Sequence, residues 1–139
     1  MTEYGRNSPA IGTLMLIDDD TIDQMLYRRI VEESGLVGNY LAFVSAEDAL
    51  DALRAEPHVD VDAILLDINM PRMDGFEFLE AASAELGDEF TKIVVIMLTT
   101  SLDPTDQERA ASYSVVKDYL DKPLLQRHLE HIAEMLKAE

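Results

Sequence analysis

Leu14-Met15-Leu16-Ile17-Asp18-Asp19-Asp20, at positions 14–20, is an apolar run that ends abruptly in consecutive aspartates. An apolar run with no polar alternation suits a strand covered on both faces, so residues 13–17 are expected to form an interior strand of a parallel sheet. The same signature returns along the chain. Ala63-Ile64-Leu65-Leu66 runs into Asp67, and Ile93-Val94-Val95-Ile96-Met97-Leu98 runs into Thr99-Thr100-Ser101. Tyr119-Leu120-Asp121 runs into Lys122-Pro123. In an open parallel sheet the carboxyl ends of the strands share one edge, so carboxylates, hydroxyls and an ammonium distant in sequence are brought together there.

Between these runs the period changes to that of helices. Ile22, Met25, Leu26 and Ile30 recur at helical spacing up to Gly35, and residues 40–44 read as a further short strand. Ser45-Ala46-Glu47-Asp48 has the form of a capping box and opens a helix carrying Ala49, Leu50 and Leu53, which Pro57 is expected to end. A helix beginning near Gly75 carries Phe76, Phe78, Leu79 and Ala82 and stops at Gly87. Asp103-Pro104 suits the start of another, since proline fits the first turn. Residues 115–120 read as a weaker fifth strand interrupted by Lys117 and Asp118, and Leu125, Leu129, Ile132, Ala133 and Leu136 line a last helix. The alternation predicts an α/β domain: a doubly wound, five-stranded parallel sheet in the order 2-1-3-4-5 between two helical layers. Residues 13–139 form this domain, and residues 1–12, with Gly, Asn, Ser and Pro but no periodicity, read as a flexible lead-in.

Composition narrows the function. A formal charge of −17 argues against a nucleic-acid partner, which calls for clustered cations. The start lacks the apolar run of a secretory signal, and the apolar stretch 93–98 is far too short to span a membrane. The chain has no cysteine, which fits a reducing compartment, and a soluble cytoplasmic protein is expected.

With the expected strand order, the winding reverses between strands one and three and opens a crevice with Asp18, Asp19 and Asp67 at its mouth. Unit charges about 4 Å apart repel by roughly 4 kcal/mol at an effective dielectric near 20, so a proton or a cation has to settle among them. All-oxygen ligands without His or Cys favour Mg²⁺ or Mn²⁺, and Mg²⁺ where phosphate is handled; the backbone carbonyl of Asn69 is a further candidate ligand. One of the carboxylates can then act as a nucleophile on a phosphoryl group, with Lys122 neutralising phosphoryl oxygens and Thr99 donating a hydrogen bond to one of them. The sequence leaves open whether the Lys122–Pro123 bond is cis.

These stretches, with Leu65-Leu66-Asp67-Ile68-Asn69-Met70-Pro71-Arg72-Met73-Asp74-Gly75, resemble the receiver domain of two-component response regulators, from Thr13 to about Leu136. The resemblance implies a flavodoxin-like, CheY-like fold and a domain phosphorylated on aspartate by a sensor histidine kinase or a histidine phosphotransfer protein. It implies Asp67 as phosphoacceptor, Asp19 as direct metal ligand, Asp18 as a ligand acting through metal-bound water, and Asn69 as carbonyl ligand. It further implies Thr99 as switch hydroxyl, Lys122 as the phosphate-sensing lysine and Tyr119 as the switch aromatic. The face around the fourth helix, fifth strand and fifth helix would bind a downstream protein target or a second copy of the chain. Residues 98–101 and 67–71 are similar to a stand-alone branch that includes phytochrome-linked regulators. The chain is expected to carry no output domain and to be no enzyme beyond its own phosphorylation and dephosphorylation. Thr100 stands where many receivers have Ala, and residues 111–116 lack the glycine common before the fifth strand.

Other readings keep their place. Asp20 suits a helix cap, Asp74-Gly75 a turn, and His128 and His131, with no third ligand in view, a solvated helix face. An aspartyl phosphatase would want an acid two residues past its nucleophile, where Asn69 stands. A flavin or nucleotide binder would want a glycine-rich loop after the first strand, where the aspartates stand.

Overall fold

The computed structural model describes residues 9–55 and 60–138. Strands β1 (Ile11–Ile17), β2 (Val37–Phe43), β3 (Ala63–Leu66), β4 (Val94–Thr99) and β5 (Val116–Asp121) alternate with helices α1 (Thr21–Ser34), α2 (Ala46–Arg54), α3 (Gly75–Leu86), α4 (Pro104–Ala111) and α5 (Gln126–Ala138). A single turn of helix, Asp88–Thr91, joins α3 to β4. All strands pair in parallel in the order β2-β1-β3-β4-β5, the doubly wound topology that the apolar runs predict.

Alternation along the interior strands divides the core in two. Met15 and Ile17 of β1, Ile64 and Leu66 of β3, and Val95 and Met97 of β4 face α2, α3 and α4, through Leu50, Phe78, Leu79 and Ala110. Leu14 and Leu16, Ala63 and Leu65, and Val94 and Ile96 face α1 and α5, through Tyr27, Val31, Leu129 and Ile132. β3 is buried along its whole length, and each fully buried aliphatic side chain contributes about 1.5–3 kcal/mol of transfer free energy. The central strands thus form a stiff platform whose carboxyl ends have fixed positions.

The boundaries depart from the sequence reading where local propensity misleads. β1 begins at Ile11 rather than Thr13, taking in the end of the stretch read as a lead-in. Ile11 is fully buried, pairs with Val37, and its amide donates to the Leu36 carbonyl at 2.8 Å. Gly12, Gly38 and Asn39 disguise both strands there, and residues 1–8 lie outside the described residues. α2 ends at Arg54; the expected stop, Pro57, lies outside the described residues. The interruption at Lys117 is a register shift. Val95 pairs with Val116 but Ile96 with Asp118, leaving Lys117 as the extra residue of a bulge.

The loop after β3 is held tightly from behind. Asp74 caps α3 in a full capping box with Glu77, and the Gly75 amide donates to the Ile68 carbonyl at 2.8 Å. A Cβ on Gly75 would lie 2.5 Å from the Asp67 carbonyl oxygen and 3.0 Å from Ile68 Cα, so the first turn of α3 seats directly on the backbone that carries Asp67. Arg72, in the same loop, takes a left-handed conformation (φ 68°), and its guanidinium donates to Glu47 of α2 at 3.0 Å. Gly75→Ala should therefore cost about 1–3 kcal/mol by denaturant unfolding, since neither backbone can yield cheaply. An unchanged midpoint would mean that the approach is looser than the geometry shows.

Candidate functional site

β1 and β3 end side by side, and the sheet carries their next residues to a common edge. The Asp67 amide donates to the Ile17 carbonyl at 3.0 Å, and the Asp18 amide to the Phe43 carbonyl at 3.1 Å. Asp18 and Asp67 are buried while Asp19 is exposed, and one carboxylate oxygen from each lies within 4.8 Å of the other two. Asp67 Oδ1 accepts from the Ile68 amide at 2.8 Å, which fixes the rotation of the carboxylate. Asp18 Oδ1 accepts from the Asp20 amide at 2.9 Å. Gln24 of α1 donates to the carbonyls of both Asp18 (2.8 Å) and Phe43 (2.9 Å), closing the ends of β1 and β2.

From the far side comes Lys122. Its amide donates to the Thr99 carbonyl at 3.1 Å, and its bond to Pro123 is cis, which the sequence leaves open. Its Nζ, on a side chain 10 % exposed, lies 2.8 Å from Asp18 Oδ2, 2.8 Å from Asp23 Oδ2 and 3.2 Å from Asp67 Oδ2. The contacts to Asp23 and Asp67 are hydrogen bonds. The contact to Asp18 is an ion pair without hydrogen-bond geometry, so Asp18 Oδ2 is a buried carboxylate oxygen with no donor.

Burial pushes the Asp18 carboxyl above the usual carboxylate range, with the Lys122 ammonium and the Asp20 amide pulling it partly back. Burial alone would lower the Lys122 ammonium. The Asp18 and Asp23 carboxylates, with the charge of Asp67, outweigh it and hold the lysine well above its ordinary range. The ammonium is therefore a permanent cation. A buried carboxylate oxygen without a donor, within a set of oxygen ligands carrying more negative than positive charge, fits a hard divalent cation such as Mg²⁺.

The remaining candidates take up distinct places. Thr99 is fully buried at the end of β4, and its Oγ1 accepts from the Ser101 amide at 3.2 Å. Tyr119 is half-buried on β5 against the core beneath α2–α4, and its hydroxyl donates to the Ser101 carbonyl at 3.4 Å. Burial holds that hydroxyl's pKa above the ordinary phenol value. Ser101 Oγ in turn donates to Asp106 of α4 at 2.7 Å. Asn69 and Thr100 are exposed. Asp20 caps α1, accepting from the amides of Ile22 and Asp23. His131 is exposed and pairs with Asp118 at 3.0 Å. His128 departs from the solvated reading: half-buried, its Nδ1 accepts from the Leu125 amide at 3.0 Å, and burial lowers its pKa.

Asp23 is the residue that motif reading passes over. It lies at the third position of α1, and helical side chains lean toward the helix amino terminus, here the acidic edge. A carboxylate in the first turn of a helix leaving that edge is the signal that would have found it.

The chain belongs to the response regulator receiver domain family, whose sequence profile residues 14–134 match. It is similar to a two-component response regulator from Cytophaga hutchinsonii, with a TM-score of 0.85 at 29 % identity over 93 % of this chain and 98 % of that one. It is similar also to the bacteriophytochrome response regulator AtBRR, with a TM-score of 0.74 at 25 % identity over 94 % and 96 % of the two chains. Among curated proteins, the probable methanogenesis regulatory protein FilR2 of Methanothrix harundinacea is 31 % identical over 89 % of this chain and 80 % of its own. The sensor histidine kinase CheAY of Helicobacter pylori is 28 % identical over 93 % of this chain, which spans 15 % of that protein. Two-component signalling through a phosphoacceptor receiver is the family's business, and receivers of this family interact with histidine kinases. No helix among the described residues is long and apolar enough to cross a membrane.

Because the Asp18 carboxylate is destabilised by burial, its raised pKa means that its contribution to stability is complete below the ordinary carboxylate value of 3.8 and is lost as pH rises through the folded value. At neutral pH the ionised group is thus a burden that a cation relieves. Millimolar Mg²⁺ should raise the thermal midpoint. Asp18→Asn should leave the metal-free unfolding free energy equal or higher, by up to about 1 kcal/mol, and shrink the Mg²⁺ response. A large loss of metal-free stability in the variant would show that the Lys122 pair outweighs the burial cost.

Proposed function

We propose that this chain is a stand-alone receiver in which Asp67 accepts a phosphoryl group from the phosphohistidine of a sensor histidine kinase or a histidine phosphotransfer protein. The observation that carries the reading is the placement of Lys122 Nζ, 3.2 Å from Asp67 Oδ2 and within the same set of carboxylates. An Asp67 oxygen bonds to phosphorus as the phosphorus–nitrogen bond breaks, and the imidazole leaves with the bonding pair and takes a proton from water. Water attacking the acyl phosphate restores the Asp67 carboxylate and releases inorganic phosphate.

Asp19, Asp67 and the Asn69 carbonyl would hold Mg²⁺ directly and Asp18 through water, and the bound ion would supply charge neutralisation of phosphoryl oxygens. Everything else falls to the chain. Lys122 donates to a phosphoryl oxygen, Thr99 Oγ1 turns to donate to another, and Tyr119 follows into the space beside it. Shifting a two-state equilibrium from 1:99 to 99:1 takes about 5.5 kcal/mol, a scale that new charged hydrogen bonds to phosphate, at about 1.5–3 kcal/mol each, can reach. The α4–β5–α5 face then binds a downstream protein or a second copy of the chain.

The likeness to AtBRR supports a place in signalling from a phytochrome-type sensor. The charge of −17 favours a protein target with a basic surface over nucleic acid.

Incubation with acetyl phosphate and Mg²⁺ should add one base-labile phosphoryl group by intact mass. Asp67→Asn should take up none, and Lys122→Ala should slow the uptake by about a hundredfold. Uptake by Asp67→Asn at the wild-type level would place the acceptor elsewhere, and steady turnover of a phosphomonoester would make the chain a phosphatase.

A further inference from the structure

Lys122 is held by a carboxylate that the phosphoacceptor reading gives no part. Asp23 Oδ2 accepts from Nζ at 2.8 Å, a shorter hydrogen bond than the 3.2 Å bond to Asp67. The local structure of α1 explains how Asp23 is free to do so. A residue at the third helical position commonly folds back to the amide of the cap residue, completing a capping box. Here that amide, of Asp20, already donates to Asp18 Oδ1 at 2.9 Å, so the Asp23 side chain is released. It turns toward the sheet edge and meets the ammonium, on a side chain 23 % exposed. The site at the carboxyl edge therefore reaches beyond the strand ends into the first turn of α1.

Resting on the proposed phosphoacceptor role of Asp67, we propose that Asp23 is a positioning residue that competes with the phosphoryl group for Lys122 and so limits how strongly the phosphorylated state is held. An ammonium has three N–H groups. In this pocket they face Asp23, Asp67 and the Asp18 side, and little of the side chain meets water that could supply another partner. An incoming phosphoryl group must take one of these places. Once phosphorylated, Asp67 has lost its own charge and accepts weakly, and Asp18 contacts the ammonium without hydrogen-bond geometry. Asp23 keeps a direct hydrogen bond to the ammonium, and it stands on the lysine side, where its charge also repels the phosphoryl oxygens.

The test uses beryllofluoride with Mg²⁺ on the full chain, comparing the wild type with Asp23→Asn, which keeps the side chain's shape and removes its charge, and with Asp23→Ser in case the amide finds a new partner. Thermal melts establish that each variant is folded. Both variants should bind beryllofluoride tighter by about three- to tenfold, a range discounted for partial solvent exposure. The ¹⁹F resonance of the fluorine facing Lys122 should shift as the ammonium commits to it. In metal-free protein the Lys122 ¹⁵Nζ resonance should move as well, a signature that a merely structural role would leave alone. Wild type that binds while the variants bind equally or more weakly would overturn the role of Asp23 and leave the phosphoacceptor reading standing. A wild type that takes up no beryllofluoride would remove that reading and this one together.

Discussion

Among the described residues, Asp18, Asp19, Asp23 and Asp67 share one edge of the sheet with a single ammonium, that of Lys122, and the rest of the edge is arranged around this imbalance of charge. Carboxylates about 4 Å apart repel by several kcal/mol at an intermediate dielectric, so a chain free to relax would spread them. They cannot spread because their backbones are set by the two buried strands that precede them and by the helix that follows. The amides of Asp18 and Asp67 are tied into the neighbouring strands, and the first turn of α3 is pressed against the carbonyl of Asp67. Packing in the two apolar layers thus supplies what holds like charges together. A divalent cation or a phosphoryl group entering the edge meets a site already formed, and its binding need not pay for assembling one.

A rigid platform alone would bind without signalling. The edge also holds groups whose hydrogen bonds can be exchanged. Thr99 Oγ1 accepts from the Ser101 amide, the Ser101 carbonyl accepts from Tyr119, and Ser101 Oγ donates to Asp106 at the start of α4. The threonine and the tyrosine therefore address the same residue, and that residue is bonded to the helix beside the proposed output face. Under the proposed phosphorylation, a change at Thr99 has a route of direct contacts to β5 and α4, and the long 3.4 Å bond from Tyr119 is the weakest of them. The chain of contacts is physical, and coupling through it is a matter for the two states it would connect.

Sequence reading works well where burial is complete and poorly where it is partial. The runs at 14–17, 63–66 and 93–98 become the interior strands because strands covered on both faces leave no room for polar residues, and their carboxyl ends locate Asp18, Asp19, Asp67 and Thr99 without further argument. The edge strands are harder. β2 starts with Val37-Gly38-Asn39, and β5 carries a bulge at Lys117, so neither shows a clean period. The four-residue helix at Asp88–Thr91 has no pattern long enough to detect. Lys122 was legible by its place after a strand, since strand order alone brings it to the edge. Asp23 was not, because its role depends on a hydrogen bond elsewhere: the Asp18 carboxylate takes the cap amide that a side chain at this position would ordinarily claim. His128 was hidden for a like reason, its use as an acceptor for the Leu125 amide being fixed by the turn into α5.

That distinction bears on how such an edge is tuned. The groups that motif reading finds come from strand ends, whose positions are dictated by the sheet and leave little freedom for adjustment. The groups it misses come from helix starts, where one cap exchange redirects a side chain by several ångströms without touching the core. Asp23 lies on α1 outside both apolar layers, which that helix enters through Tyr27 and Val31. Its charge, in contrast, acts on an ammonium in a pocket where water screens little. Positions of this kind can alter the balance between the two states of the site with small consequence for stability. Differences in the strength and duration of the signal can therefore reside in helix-start residues, while the strand-end residues that perform the chemistry stay in place.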